Sequence, residues 1–247
     1  MNKILSYLTI RNLVIAGIIM RIFFMIWGAP IYYGSANYAT QGGDTDAWVK
    51  SMQNLVHTGT YTADPNYEDG KFFRPPGYAF FLMIFYFLSG FKLPLMFKMA
   101  QIAQVVLDST SIWLVYHIVK NNKGTENAAR LSAFLYCFYP FAIVWTPYLY
   151  AETPSIFFLI FSIYQLTKPT SKYNNAIAGI SLGFSVLLRV QTIFLVPAFM
   201  FYLWKKHKTI SIYFSKPIIY FFIFFGITYG SWPARNLMYG KFIPAEE

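Results

Sequence analysis

Long apolar stretches alternate with short polar segments along this 247-residue chain. The stretches approach or reach the roughly 20 residues that a helix needs to cross a bilayer, and they are continuous, unlike the alternating strands of a membrane barrel. The pattern predicts an all-α fold, a polytopic helical membrane protein with one domain over residues 1–247. The predicted spans are Asn12–Ile31, Phe97–Val119, Leu131–Leu149, Thr153–Thr167, Asn175–Leu188, Gln191–Trp204 and Ile212–Ser231.

A loop of residues 32–96 separates the first two predicted spans, and we expect it to contain short helices at the membrane surface. Apolar side chains at helical spacing predict one such helix over Thr45–Val56. Tyr78–Leu88 is wholly apolar, but the stretch from Gly77 to Gly90 makes only roughly 21 Å of helix, less than the ~30 Å core of a bilayer. We therefore predict a short helix there, packed on the bundle or dipping into the outer leaflet.

Composition and charge agree with a membrane protein. The chain is 56% hydrophobic and 12% charged, which is about half the charge of a soluble domain. Its net charge of +10 lies in short clusters between apolar stretches, and the positive-inside rule explains such clusters without a nucleic-acid partner. The same rule places Lys3, Arg11 and the segment Lys120–Arg130 in the cytoplasm, and the 32–96 loop outside.

Under this topology, six charged residues that are far apart in sequence share the outer face. Composition does not force them together, so their convergence predicts an outward-facing polar cavity with both carboxylates and guanidinium groups. The six residues are Asp44, Asp46, Arg74, Glu152, Arg189 and Arg235.

Asp44 and Asp46 form an Asp-x-Asp arrangement after two glycines. Residues two apart diverge by about 200° on a helix, so they act as a pair only in an extended turn. In one interpretation Asp44 is a general base, or both carboxylates bind a divalent cation. In the other, Asp44 is the N-cap of the helix that follows. The histidines show no metal-ligand spacing, and no cofactor is assigned with certainty.

The other charged residues also have two interpretations each. Arg74 precedes Pro75-Pro76-Gly77, and a guanidinium fixed there suits bidentate binding of a lipid phosphate, although the motif also serves as a turn. Glu152 is either a functional carboxylate at membrane depth or a helix cap. Arg189 either binds phosphate or marks a turn, whereas Arg21, inside the first span, indicates an internal structural ion pair.

Short motifs, each weak alone, follow one another in a specific order: Gly43–Trp48, Gly59–Tyr61, Phe73–Tyr78, Tyr139-Pro140, Ala151–Thr153, Gly179-x3-Gly183, Leu188-Arg189, Trp232–Asn236 and Gly240–Pro244. In this order they resemble the family-39-like glycosyltransferases of the GT-C fold. That group includes protein O-mannosyltransferases and the aminoarabinose transferases of lipid A. Members usually continue well beyond the last of these motifs, so the resemblance implies a short or incomplete member.

The resemblance implies a GT-C-like bundle that transfers a sugar from a polyprenyl-phosphate carrier to a glycan, lipid or protein acceptor outside the membrane. It implies that Asp44 is catalytic, that Arg74 contacts the donor phosphate, and that Glu152 is the acidic residue of the second outer loop. A bacterial inner membrane is the expected location, with membrane lipid as the surrounding partner.

The chemistry of such a transfer is consistent with these residues. A carboxylate base activates the acceptor hydroxyl, and Arg74, Arg189 or Arg235 stabilises the departing phosphate. A single displacement inverts the anomeric centre. Two other functions remain open, a non-catalytic membrane subunit that binds polyprenyl lipids and a transporter. A transporter is expected to show internal repeats, and no clear repeat is found in the sequence.

Overall fold

The computed structural model describes residues 9–35, 37–40, 43–72, 74–207 and 216–239. Regular structure within these ranges is helical, and no strand occurs in them. The helices are α1 Ile10–Tyr32, α2 Gly43–Thr58, α3 Gly77–Leu88, α4 Leu93–Asn121, α5 Glu126–Cys137, α6 Pro140–Trp145, α7 Glu152–Thr167, α8 Lys172–Leu188, α9 Val196–His207 and α10 Lys216–Met238. Short 3₁₀ turns lie at Tyr38–Thr40, Glu68–Lys71 and Val190–Leu195.

Three helices in the described ranges, α1, α4 and α10, are long and apolar enough to cross a membrane. The helices between α4 and α10 have 6 to 17 residues, so the predicted count of seven spans is not confirmed. The short apolar helix predicted near Tyr78–Leu88 is present as α3. The start of the span predicted over Ile212–Ser231 lies outside the described residues, and its remainder belongs to α10.

The span predicted over Leu131–Leu149 is wrong as one continuous helix. It is divided into α5 and α6, and residues 146–151 form turns and bends. Pro140 explains the first break, because proline has no N–H to donate and clashes with the preceding turn. The second break frees backbone carbonyl groups, and side chains from α4 bind them, as described below.

A π turn interrupts α1 at Phe24–Gly28. Such a turn contains one residue more than an α-helical turn and is often found at functional sites. Upstream of it, Arg21 is fully buried and forms an ion pair with Asp108 of α4. The internal pair expected for Arg21 is therefore confirmed, and its partner is a residue that sequence reasoning did not name.

Close packing between α8 and α10 depends on two glycines. A Cβ added at Gly179 would overlap the carbonyl oxygen of Phe221, and one added at Gly183 would lie 2.7 Å from Cβ of Thr228. Glycines four residues apart allow two helix backbones to approach closely, a common arrangement in membrane helix pairs. This contact fixes the end of α8, where Arg189 follows.

Candidate active site

Asp44 lies in the first turn of α2, which begins at Gly43 rather than at the predicted Thr45. A carboxylate there is stabilised by the free N–H groups and the positive end of the helix dipole. Two neighbours anchor the turn: Thr45 Oγ1 donates a 2.8 Å hydrogen bond to the carbonyl oxygen of Leu149, and the buried Trp48 packs against Tyr78. The position of Asp44 is therefore tied to the irregular segment 146–151.

Arg74 forms an ion pair with Asp44, with 2.5 Å between Nη2 and Oδ1. The two side chains are 25% and 21% exposed, so a ligand from solution has access to both. The backbone around Arg74 is fixed by the buried Tyr61, whose hydroxyl donates to the carbonyl oxygens of Arg74 and Pro75 at 3.0 and 3.3 Å. Burial raises the pKa of Tyr61, which keeps its hydroxyl a donor.

Gly77 brings the Arg74 turn against the end of α8. A Cβ at this position would lie 2.5 Å from the backbone C and O atoms of Leu187. Any larger residue would therefore push α3 away from α8. The glycine of the Arg-Pro-Pro-Gly motif thus sets the distance between Arg74 and the neighbourhood of Arg189.

Glu152 and Arg189 form a second ion pair, with side chains 23% and 27% exposed. Glu152 begins α7 and Arg189 directly follows α8. One turn into α7, Ser155 Oγ donates to the carbonyl oxygen of Ser185 at 3.0 Å, and Ser185 Oγ donates back to that of Ser155 at 2.9 Å. These reciprocal bonds hold together the helix ends that carry the pair.

Tyr150 is two residues before Glu152 and packs against Trp48 of the helix that carries Asp44. Its ring packs against Tyr148 and Trp48, with centroids 4.6 and 5.9 Å away. Burial raises the pKa of Tyr150. The neighbouring Tyr148 and the carboxylate of Asp44 raise this pKa further, and the guanidinium of Arg189 lowers it. One member of each ion pair therefore acts on Tyr150, and the packing of Gly77 on Leu187 brings the Arg74 turn next to the end of α8.

A polar stripe on α4 holds the irregular segment in place. Gln104 Nε2 donates to the carbonyl oxygens of Thr146 and Tyr148, both at 2.7 Å, and Gln101 Nε2 donates to that of Pro147 at 2.7 Å. Buried carbonyl groups without partners are costly, so these bonds allow an irregular backbone inside a helical bundle. Sequence reasoning missed the stripe. Gln101, Gln104 and Asp108 at i, i+3 and i+7 of a predicted span were the available signal.

Two predicted site residues lie apart from the ion pairs. Asp46 is on the exposed side of α2 and pairs with Lys50 at 2.6 Å, with both side chains more than half exposed. Arg235 donates to the carbonyl oxygens of Lys71 and Tyr61 at 2.8 and 3.3 Å. Its guanidinium also stacks on the rings of Phe72, Trp232 and Tyr239. Arg235 thus binds the same loop that carries Arg74.

Candidate metal ligands do not cluster in the part of the chain that the structure describes: no group of three or more His, Cys, Asp and Glu side chains is placed to hold an ion there. Asp44 and Asp46 diverge on α2, as expected for residues two apart on a helix. In this arrangement the Asp-x-Asp motif does not present both carboxylates to one ion.

Residues 73–232, about two thirds of the chain, match the family described as dolichyl-phosphate-mannose-protein mannosyltransferase. Together with the apolar helices, the match shows a membrane glycosyltransferase of the GT-C mannosyltransferase type. The chain belongs to the dolichyl-phosphate-mannose-protein mannosyltransferase family. The matched range contains Arg74, Glu152 and Arg189, whereas Asp44, Asp46 and Arg235 lie outside it. No curated protein and no solved structure matches the chain.

Proposed function

We propose that the protein transfers a sugar from a polyprenyl-phosphate donor to an acceptor hydroxyl at the extracytoplasmic face of the membrane, with inversion of the anomeric centre. One observation carries this proposal. The two best candidate carboxylates, Asp44 and Glu152, are each paired with a guanidinium group, and Tyr150 lies within electrostatic range of both pairs. The site thus combines proton acceptors with cations suited to a phosphate.

Each group has a role in a single displacement. The acceptor oxygen attacks the anomeric carbon, the bond from that carbon to the phosphate oxygen breaks, and its electron pair leaves with the phosphate. The proton of the acceptor hydroxyl passes to Asp44. Sugar–phosphate cleavage has an oxocarbenium-like transition state, and Arg74 and Arg189 stabilise the charge that develops on the phosphate. The leaving group needs no proton.

The two ion pairs suggest how the base is released. A lipid phosphate accepts bidentate hydrogen bonds from arginine as a carboxylate does, so the donor competes with Asp44 for Arg74 and with Glu152 for Arg189. Asp44 then becomes a free proton acceptor only when the donor is bound. In this mechanism Arg235 contributes by fixing the Lys71–Arg74 loop, and Asp46 has no direct part.

The family and the charge pattern support a location for the site and a class of acceptor. We place the site outside a bacterial inner membrane, with the N-terminus in the cytoplasm. The family's donor is a polyprenyl-linked sugar, and a glycan, a lipid or a protein can supply the acceptor hydroxyl. Positive-inside clusters such as Lys120–Arg130 support this orientation.

Asp44→Asn tests the proposal, because the amide keeps the shape but cannot accept the proton. We expect transfer to fall by ~10²–10⁴-fold while donor binding persists, since a positioned base contributes about that much to the rate. Asp46→Asn, on the same helix turn, is the matched control and should retain transfer. Transfer by Asp44→Asn at the rate of the wild type would remove the base assignment. Donor binding without transfer by the wild type would favour a lipid-binding subunit instead.

A further inference from the structure

A cavity away from the two ion pairs lies between the π turn of α1 and the first turns of α4. Its volume is about 380 Å³, within the range of small-ligand sites. The side chains that matter for its chemistry are Met25, Ile26, Tyr38, Lys98, Gln101 and Ile102. The transfer mechanism uses none of them directly.

The cavity faces the surroundings of the helix bundle. Ile26 and Ile102, which line it from α1 and α4, are 50% and 55% exposed. Both helices are candidate membrane spans, so their exposed apolar faces are suited to contact lipid tails. Trp27 and Tyr32, 57% and 64% exposed on the same part of α1, are residue types that concentrate at the membrane–water interface. The cavity therefore extends from the hydrocarbon to the headgroup level.

The charged side chain that lines the cavity is positive. Lys98 is exposed at its rim, and none of the residues lining the cavity is acidic. An ammonium group at headgroup level attracts anionic lipid, and the apolar walls below it accommodate a hydrocarbon chain. The complementary ligand is thus an amphiphile with a negative head and an apolar tail.

The floor of the cavity is fixed by hydrogen bonds. Tyr38 donates from its hydroxyl to the carbonyl oxygen of Met25 at 2.8 Å, and Gln101 Nε2 donates to the Tyr38 hydroxyl at 3.1 Å. The same amide nitrogen donates to the carbonyl oxygen of Pro147. The floor is thereby connected to the segment that precedes Tyr148 and Tyr150, so an occupant would contact the support of the candidate active site.

We propose that this cavity binds a bilayer phospholipid with an anionic headgroup. The phosphate lies at Lys98, and one acyl chain lies between Ile26 and Ile102. The site is separate from the arginines assigned to the sugar donor, and the proposal does not depend on transfer activity.

Lipid binding by the purified full chain tests the proposal. Native mass spectrometry in detergent, with phosphatidylglycerol or phosphatidylcholine added, should show preferential retention of phosphatidylglycerol. Lys98→Glu should lower that retention at least about fivefold, the effect of one cationic residue near anionic lipid. Ile102→Trp, which fills the cavity, should lower it as well. Lys92→Glu is the control, because Lys92 is also exposed, lies just before α4 and does not line the cavity.

Three results would overturn the proposal. They are equal retention of the two lipids, unchanged retention in both Lys98→Glu and Ile102→Trp, and retention reduced as strongly by Lys92→Glu. If polyprenyl phosphate were the one added lipid that displaces phosphatidylglycerol, the cavity would be assigned to the sugar donor, and a phospholipid site would also be rejected. The proposed function is tested separately, since Lys98→Glu should leave the Asp44-dependent transfer step in place.

Discussion

Two arginine–aspartate pairs in the described residues differ chiefly in their access to water. Arg21–Asp108 joins α1 to α4 with side chains 0% and 5% exposed, whereas Arg74–Asp44 has 25% and 21%. Asp108 also accepts hydrogen bonds from the hydroxyls of Tyr136 and Thr146, at 2.7 and 3.2 Å. The same chemical pair is an anchor where the protein surrounds it, and it can exchange partners where a ligand can reach it.

Among the variants that test this comparison, removal of the Asp108 carboxylate should lower the free energy of unfolding most. Asp108→Ala leaves the Arg21 guanidinium buried without its counter-charge, which typically costs about 3–5 kcal/mol. The free energy of unfolding in detergent should fall by that order. Asp44→Asn, at the partly exposed pair, should have nearly the free energy of unfolding of the wild type. If both variants were equally stable, burial would not be what distinguishes the two pairs.

Substitution of Gln104 tests whether the polar stripe of α4 holds residues 146–151 in place. Gln104→Leu leaves the carbonyl groups of Thr146 and Tyr148 without their donor, at about 1–3 kcal/mol for each unsatisfied group. We expect reduced stability, and a fall in kcat because Tyr148–Tyr150 shifts. Thr110→Val is the control, since its hydroxyl bonds only within α4, to Val106. Wild-type kcat in Gln104→Leu would show that the segment is held by other contacts.

Substitution of Arg74 tests the cationic partner of the partly exposed pair. Arg74→Ala should weaken donor binding by about 10–100-fold, because a hydrogen bond to a charged group contributes about 1.5–3 kcal/mol. Arg74→Lys should retain part of the affinity, since the charge remains but the bidentate fork is lost. Titration of both variants with a polyprenyl-phosphate donor measures the difference. Equal affinities of wild type and Arg74→Ala would mean that the phosphate binds elsewhere.

Glu126 adds a third, more exposed ion-paired carboxylate to the comparison, with its side chain 42% exposed. Hydrogen bonds from Tyr116 and Arg130, with Lys120 nearby, lower its pKa from 4.5 to about 2. A lowered folded-state pKa stabilises the protein above pH 4.5, and this stabilisation is lost as the pH falls towards 2. Solvent screening should keep it below about 1 kcal/mol. Unfolding of the wild type and Glu126→Gln should therefore converge between these pH values, and a constant difference would contradict the assignment.

Sequence reasoning predicted the helical membrane class, the family and the internal pairing of Arg21, because apolar length, motif order and a charge inside a span are local signals. It also selected Asp44, Arg74, Glu152 and Arg189, which the structure brings together as two ion pairs. Their catalytic and binding roles stay predictions.

The irregular segment after Trp145 could not be predicted in full. Pro147 is a local signal for a break, but the donors that permit an irregular backbone there lie on another helix, at Gln101 and Gln104. Arg235 illustrates the same limit. Its position beside a motif predicts a phosphate ligand, and that role stays a prediction, whereas its contacts with loop carbonyls and aromatic rings are visible only in the three-dimensional structure.

The π turn of α1 determines where this helix tolerates the loss of a residue. Deletion of one residue within Phe24–Gly28 would restore regular α-helix and nearly keep the rotation beyond it, because this turn already accommodates one extra residue. Deletion of Ile22 or Phe23, in the regular helix that follows Arg21, would instead rotate everything beyond it by about 100°. Tyr33 would then lose its hydrogen bond to the carbonyl oxygen of Val144 and its ring contact with Tyr148. Removing one residue just before the π turn would thus misalign aromatic side chains beside the site, whereas removing one within the turn would leave that alignment nearly unchanged.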